Sequence, residues 1–386
     1  MKIDFKNNKK IINVALTLAF LIFIIFEVLN FTNCFGYNSM LEPRSCFTAT
    51  LLKDGTVLIA GGYHGFDDLN SAEIYNPQTH HSHHTGSMKI KRHNHQAILM
   101  NDGRVLIIGG SNLLISDIKQ VEIYDPKTRS FKLTDNLKID GLQDFSLTKL
   151  KDGKILFSGG GGKYNGIRRS NEIYDPKTNS FKLVAFSNID HSTHTANLLK
   201  NGNVLIIGGG FDYKTKETID KQTEIYHLAI NKFTIGPNLQ KPRRRHCSIT
   251  LNNGKVLVLG GNGQGYGFFK TAEIYDPKLN IFEPAGEMEK VRTEFGAVLL
   301  PNGNVYIIGG DDPDYYKMVK HPSCEIYNPK TNKFSKTKTC MKSLKYDVIP
   351  ILLSNERLLL IGGGRPLISD HERKKIEIID TNKITY

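Results

Sequence analysis

The chain has 386 residues, of which 39% are hydrophobic and 23% charged, and its formal net charge is +13. A chain this long exceeds what one hydrophobic core usually fills, so we expect repeated structural units. The 35 glycines fall mainly at turns and in doublets, which indicates regular architecture and excludes a disordered chain. The basic excess favours an acidic partner.

Residues 1–39 form a leader that precedes the repeats. The first ten residues, MKIDFKNNKK, carry four lysines against one aspartate, and residues 11–31 are mostly apolar. A basic start followed by an apolar run is typical of an export signal with its lysines on the cytoplasmic side. We expect an N-terminal hydrophobic helix that is a signal peptide or an uncleaved signal anchor. It would contact the membrane through residues 11–31, leaving the remainder secreted or held on the non-cytoplasmic side.

Residues 40–386 contain seven copies of one pattern, with repeats at about 40–88, 89–137, 138–186, 187–239, 240–288, 289–341 and 342–386. Self-similarity at this period predicts a repeat architecture. Each copy has a Gly-Gly doublet after an apolar run; the doublets begin at Gly61, Gly109, Gly159, Gly208, Gly260, Gly309 and Gly362. In six copies an Asp-Gly or Asn-Gly pair stands before that run and predicts a tight hairpin. Glu356 replaces that glycine in the last copy, so we expect its turn to differ.

Each copy predicts four antiparallel strands. The run before each doublet, such as VLII at 105–108, is continuously apolar, which indicates a strand covered on both faces. A strand reading Glu-Ile-Tyr follows, and a fourth strand carries a phenylalanine such as Phe131 or Phe181. Sheets this small need neighbours on both sides, and closing seven of them into a ring supplies these. The prediction is an all-β, seven-bladed β-propeller of four-stranded antiparallel blades.

These motifs resemble the Kelch repeat over about residues 40–386. The resemblance rests on the doublet, the later Glu-x-Tyr-Asp-Pro, the aromatic residue in the last strand, and Arg-x-x-His at Arg92–His95 and Arg243–His246. The chain has no tryptophan, so phenylalanine occupies the usual aromatic position. The first repeat has HHSHH at 80–84 where its fourth strand should begin, and the last repeat leaves a short fourth strand that segment 31–39 could complete at the edge.

The loops after the doublets and the links between blades should emerge on one face, which we call the loop face. Long loops on a rigid scaffold are where binding residues concentrate. We predict a ligand-binding face whose basic residues are Lys91, Arg92, Arg168, Arg169, Arg243, Arg244, Arg245, Arg292, Lys345 and Arg373. The expected partner is a protein or an anionic glycan, although an ordinary solvated surface explains the charge equally well. Export argues against nucleic acid.

The repeated glutamates, including Glu122, Glu172 and Glu273, need partners if their strand is partly buried. Arginine or lysine occupies an equivalent position in five repeats, so we predict structural Glu–Arg pairs at blade junctions. Among the five cysteines, Cys324 and Cys340 fall at nearly matching positions on adjacent strands. A disulfide between them is possible, and the sequence leaves its presence open.

The chain has no Gly-x-Ser-x-Gly, His-Glu-x-x-His or Cys-x-x-Cys motif. The histidines at 80–84 could bind a transition metal, but an exposed loop is the simpler interpretation. We expect no catalytic residue, metal or cofactor, and the function predicted is a non-catalytic binding scaffold. The alternative implied by the resemblance is a carbohydrate enzyme, either a galactose-oxidase-like enzyme with a Tyr and His copper set or a sugar mutarotase. The oligomeric state stays open.

Overall fold

The computed structural model describes residues 38–139, 143–162, 166–167, 169–210, 220–263, 267–310, 323–341, 348–362 and 369–384. The expected N-terminal helix, in residues 1–37, lies outside this part. Within the described ranges, no helix has the length and apolarity needed to cross a membrane.

The first three blades are built from consecutive segments of the chain, with short hairpins on the loop face of blades 1 and 3. Blade 1 contains β1 (Thr48–Leu51), β2 (Val57–Ala60), β3 (Tyr63–His64), β4 (Asp67–Asp68), β5 (Ala72–Asn76) and β6 (His81–His84). Blade 2 contains β7 (Gln96–Leu99), β8 (Val105–Ile108), β9 (Glu122–Asp125) and β10 (Ser130–Leu133). Blade 3 contains β11 (Ser146–Lys149), β12 (Ile155–Ser158), β13 (Gly161–Gly162), β14 (Gly166–Ile167), β15 (Asn171–Asp175) and β16 (Ser180–Leu183).

The remaining blades repeat this plan. Blade 4 contains β17 (Thr195–Leu198), β18 (Val204–Ile207), β19 (Thr223–His227) and β20 (Lys232–Ile235), with a 3-10 turn at Leu228–Ile230. Blade 5 contains β21 (Cys247–Thr250), β22 (Val256–Leu259), β23 (Asn262–Gly263), β24 (Gly267–Phe268), β25 (Thr271–Asp276) and β26 (Ile281–Glu287). Blade 6 contains β27 (Gly296–Leu299), β28 (Val305–Ile308), β29 (Cys324–Asn328) and β30 (Lys333–Lys336). Blade 7 contains β31 (Ile349–Leu352), β32 (Arg357–Ile361), α1 (Asp370–Lys374) and β33 (Ile376–Asp380), then a 3-10 turn at Thr381–Lys383.

The seven sheets form a closed ring, as predicted. Six are four-stranded and antiparallel, and the described part of blade 7 has three strands. The innermost strand of each blade contacts that of the next, and β1 contacts β31. The chain start reinforces this closure, because Ser39 forms an antiparallel bridge with Lys375 next to β33. Met40 and Phe47 pack in one apolar cluster with Ile361 and Ile376 of blade 7.

The core lies between the blades. All four residues of β2 are buried, and the same holds for the corresponding strands of blades 2 to 6. This burial explains their continuous apolar sequence, because neighbouring sheets cover both faces. In five blades the tyrosine of the third strand packs on the phenylalanine of the fourth, with centroids 4.8 Å apart for Tyr124 and Phe131.

The glycine positions have two distinct causes. Gly61 has a φ of 63°, and a Cβ there would lie 2.7 Å from Cε1 of His95 in the next blade. The doublet glycine thus leaves room for a neighbouring ring. Gly55 in the hairpin has a φ of 84° and nothing within 4 Å of such a Cβ, so only the turn conformation requires glycine. The expectation of a different last turn was wrong, because Glu356 adopts a φ of 59° and makes the same type of backbone bond.

Candidate functional site

Three of the arginines predicted to bind a ligand are buried. Arg92 and Arg243 have no exposed surface, and Arg292 is 2% exposed. Each guanidinium pairs with a glutamate of the same blade, at N–O distances of 3.1 Å to Glu122, 2.8 Å to Glu273 and 2.9 Å to Glu325 respectively. Each also donates to the carbonyl of the first doublet glycine. Their place on the ligand-binding face is therefore corrected to a structural one, because a buried, paired guanidinium cannot contact a surface partner.

The glutamates are held chiefly by backbone amides. Glu122 accepts from the amides of Lys89 and Ile90, and Glu172 accepts from those of Lys138 and Ile139. Glu273 makes the equivalent contacts with residues 240 and 241. In each case the carboxylate anchors the segment that links two blades. Burial raises the pKa of Glu172, and it lowers the pKa of Arg92 despite the opposing effect of Glu122.

The other predicted basic residues divide into three groups. Arg373 is 6% exposed and pairs with Asp370, so it too is corrected to a buried position. Arg168 and Lys345 lie outside the described residues. The remaining four, Lys91, Arg169, Arg244 and Arg245, reach the surface. Two of them are already paired with acids: Arg169 lies 3.0 Å from Asp190, and Arg245 lies 3.1 Å from Glu294.

A ring of strained residues surrounds the mouth of the central channel on the loop face. Each stands two residues before the innermost strand of its blade and has a left-handed backbone, with φ between 51° and 56°. We call this set the mouth ring, and its members are Cys46, Asn94, Asp144, Thr193, Arg245 and Glu294. Successive members bond around the channel: the amides of Asn94, Thr193 and Arg245 donate to carbonyls of the preceding blade at 3.0 Å.

Three charges of the mouth ring lie close enough to influence one another. Arg245 pairs with Glu294, and both affect the carboxyl of Asp144. The Asp144 side chain reaches solvent, although neighbouring atoms partly desolvate its carboxyl group. This desolvation raises its pKa, an effect that Arg245 opposes and Glu294 reinforces. The mouth therefore presents two carboxyl groups to one guanidinium.

Three imidazoles directly below the ring belong to the scaffold. His95, His194 and His246 each meet a hydroxyl of the preceding blade through Nε2, at 2.8 to 2.9 Å. Burial, aided by Arg243, lowers the pKa of His246 to about 3, so this ring is neutral at physiological pH. No group of three His, Cys, Asp or Glu side chains within the described ranges could hold a metal ion. The histidines of β6 therefore form no such group there.

The structure shows the cysteine pairing that the sequence left open. Cys324 and Cys340 form a disulfide with their Cα atoms 5.5 Å apart, which ties the link to blade 7 onto blade 6. Cys247 is a free thiol. Burial raises the pKa of the Cys247 thiol to about 12, so it stays protonated and unreactive at neutral pH.

A ring of seven small antiparallel sheets with a doublet glycine at each junction defines the class of repeat β-propellers. The family model described as "Kelch motif" matches residues 243–289, which include most of blade 5. The match covers one of the seven repeats, and together with the seven-bladed ring it supports a likeness to Kelch-repeat propellers. No curated protein matches it.

A solved structure with a similar fold is a "Novel fungal alcohol oxidase with catalytic diversity among the AA5 family, in complex with copper". It shares 18% identity with this chain at a TM-score of 0.67, covering 86% of this chain and 73% of the oxidase. This likeness concerns the fold alone. It nevertheless corrects the expectation that the chain is not an enzyme, because the same architecture carries catalysis in that protein.

The mouth ring escaped sequence reasoning. Its members share no residue type, and none is a glycine whose presence would signal positive φ. The members share only their position, two residues before the innermost strand of each blade. An alignment of the repeats would show this shared position.

Proposed function

We propose that this protein is an exported or membrane-anchored Kelch propeller that binds a protein partner on its loop face, centred on the mouth ring. The leader in residues 1–39 supports the location. The disulfide between Cys324 and Cys340 supports it as well, because such bonds persist in oxidising compartments.

The observation that carries the proposal is the left-handed backbone at six equivalent non-glycine positions. Each such residue costs about 1 kcal/mol or more. The hairpins between the third and fourth strands have the same conformation, mostly at asparagines, so the variation of residue type is what distinguishes the mouth ring. The six residues, all of different type, stand at equivalent places around one end of the ring. The scaffold beneath them is constant, whereas the residues themselves vary, as expected of a recognition surface.

The charges at the mouth favour a basic group on the partner. Asp144 makes no side-chain hydrogen bond or ion pair with the described residues, and its carboxyl is already partly desolvated. An incoming Lys or Arg side chain would add a second cation to the two carboxyl groups at little further desolvation cost. The burial of four predicted arginines meanwhile removes much of the support for an anionic glycan.

The test is selection of displayed peptides on the full chain, followed by fluorescence anisotropy with the enriched peptides. We expect Lys- or Arg-containing peptides, with binding weakened about tenfold or more by Asp144→Asn. Asp125→Asn is the matched control, because Asp125 caps a turn on the opposite face at 2.9 Å from the Lys127 amide. Enriched peptides without basic residues, or equal binding by Asp144→Asn, would refute the proposal. Anionic glycans bound through Arg244 and Arg245 would replace it.

The likeness to the alcohol oxidase supports a second candidate, oxidation of an alcohol or carbohydrate at the same face. A copper site of the kind implied by that resemblance needs Tyr and His ligands, and the mouth ring contains neither. The described residues thus do not fit copper at the mouth. Copper measured by mass spectrometry after metal loading separates the two candidates: one equivalent per chain would favour the oxidase.

A further inference from the structure

Next to the mouth ring, a serine, a histidine and an aspartate form a continuous hydrogen-bonded chain between blades 1 and 2. Ser111 Oγ lies 3.1 Å from Nε2 of His93, and Nδ1 of His93 lies 2.6 Å from Oδ1 of Asp68. A carboxylate at Nδ1 fixes the proton on that nitrogen, which leaves Nε2 to accept from the serine hydroxyl.

The backbone holds these groups rigidly. His93 and Ser111 form an antiparallel bridge with reciprocal N–H to C=O bonds of 2.9 and 3.0 Å. Asp68 comes from β4 of the preceding blade, and its second oxygen accepts from the Leu113 amide at 2.7 Å. The ring of Tyr63 meets the imidazole edge-on at a centroid distance of 5.6 Å. Backbone hydrogen bonds and strand pairing thus fix the positions of the serine, the imidazole and the carboxylate.

Three other hydroxyl–imidazole pairs in the described ranges lack the acid. Ser146 lies 2.8 Å from Nε2 of His194, but the Nδ1 of that ring is buried without a partner. The same is true of the pairs Thr48–His95 and Thr195–His246. The carboxylate on His93 therefore sets this pair apart from those that merely brace the inner strands.

Ser111 and Asp68 are each 6% exposed, so a substrate would reach the triad from the side of His93, where apolar surface is also present. The His93 side chain is 24% exposed, which leaves part of the ring open to solvent. Phe66 on the hairpin of blade 1 is 93% exposed, and Leu113 and Leu114, just beyond Ser111, are 77% and 95% exposed. Exposed apolar side chains of this size commonly mark a binding site.

We propose that Ser111, His93 and Asp68 form a hydrolytic site for esters with an apolar acyl group. Ser111 Oγ attacks the ester carbonyl carbon while its proton passes to Nε2 of His93. The bond to the alcohol then breaks, and the alcohol leaves with that proton. Water, deprotonated by His93, attacks the acyl-serine, releases the carboxylic acid and restores Ser111. Asp68 is a positioning residue that orients the imidazole.

The developing oxyanion needs a positive partner. The amides of residues 113–115 already donate to Asp68 or to the Asn112 side chain, so they are occupied. Lys91 is exposed, two residues before His93, and its carbonyl accepts from the Asn112 amide group at 2.8 Å. Because Lys91 is exposed and lies on the same segment as His93, we infer that its flexible side chain can bring the ammonium to the oxyanion.

The first test is labelling of the full chain with a fluorophosphonate probe, followed by peptide mass spectrometry. We expect the probe on Ser111, loss of labelling in Ser111→Ala, and labelling about 100-fold slower in His93→Gln. Ser146→Ala is the matched control and should label normally. Absence of labelling in a wild-type chain with a cooperative melting transition would overturn the proposal, as would labelling that survives Ser111→Ala.

The second test is steady-state hydrolysis of p-nitrophenyl acetate and p-nitrophenyl octanoate. The octanoate should be preferred, with the preference lost in Leu114→Ser. Asp68→Asn should lower kcat about 100-fold at unchanged KM, and Lys91→Met should lower kcat as well. Equal kcat in wild type and Asp68→Asn would contradict the positioning role. Preference for the acetate would contradict the apolar acyl site.

Discussion

The junctions of blades 2 and 3 stabilise a buried glutamate with different partner residues. In blade 2, Glu122 accepts from two backbone amides and from the guanidinium of Arg92 at 3.1 Å. In blade 3, Glu172 makes the amide bonds, but no described guanidinium reaches it, and burial raises its pKa. The amides are therefore the shared anchor, and arginine is an added counter-ion that also binds the doublet carbonyl.

The largest effect should come from breaking the charge pair of blade 2. Arg92→Met leaves the buried side chain of Glu122 without its guanidinium partner, which should lower the free energy of unfolding by about 3–5 kcal/mol. Urea denaturation of the purified chain measures this loss. Lys91→Met, at the exposed neighbouring position, is the control and should change stability little. A loss below about 1 kcal/mol in Arg92→Met would show that the amides alone suffice.

This comparison also shows what sequence can predict. The ring, its inner strands and the Glu–Arg pairs follow from patterns repeated at a fixed spacing, because a recurrent apolar run must be buried and a buried carboxylate needs a partner. Whether one charged side chain of a run points into the core or into solvent cannot be predicted from such patterns. In KPRRRH, Arg243 is buried and Arg245 reaches solvent, which depends on backbone register that composition does not encode.

The candidate sites were still less predictable. Asp68, His93 and Ser111 lie far apart in the chain, and their juxtaposition depends on the bridge between His93 and Ser111 and on the hairpin of the neighbouring blade. No local motif marks them. The mouth ring is likewise defined by backbone conformation and by contacts between blades.

Blade 6 adds a covalent link to its charge pair between Arg292 and Glu325. The disulfide between Cys324 and Cys340 closes a loop of sequence separation 16 at the passage from blade 6 to blade 7. Replacing both cysteines by alanine should cost about 3 kcal/mol, mainly by freeing the unfolded chain. Thermal melting with and without reductant measures it, with Cys247→Ala as a control that keeps the bond. Identical melting of the wild type in both conditions would indicate that the bond adds no stability.

The smallest effect concerns the pH dependence of two neighbouring glutamates, and its sign differs between them. Because burial raises the pKa of Glu172, the folded chain retains that proton to higher pH than the unfolded chain does. The free energy of unfolding of the wild type, relative to that of Glu172→Gln, should therefore fall as the pH rises above the pKa of glutamate in the unfolded chain, about 4.3. In blade 4, burial acts to raise the pKa of Glu224, but hydrogen bonds with His191 and Asn188 outweigh it and the pKa is lowered.

Stability relative to Glu224→Gln should accordingly rise with pH up to that same unfolded value and be lost in acid. Glutamine keeps one acceptor oxygen for the backbone amides in both variants, so each difference isolates the titrating proton. Urea midpoints of the wild type and both variants between about pH 3 and pH 7 provide the comparison. Slopes of the same sign would mean that His191 does not replace arginine as the partner of the junction carboxylate.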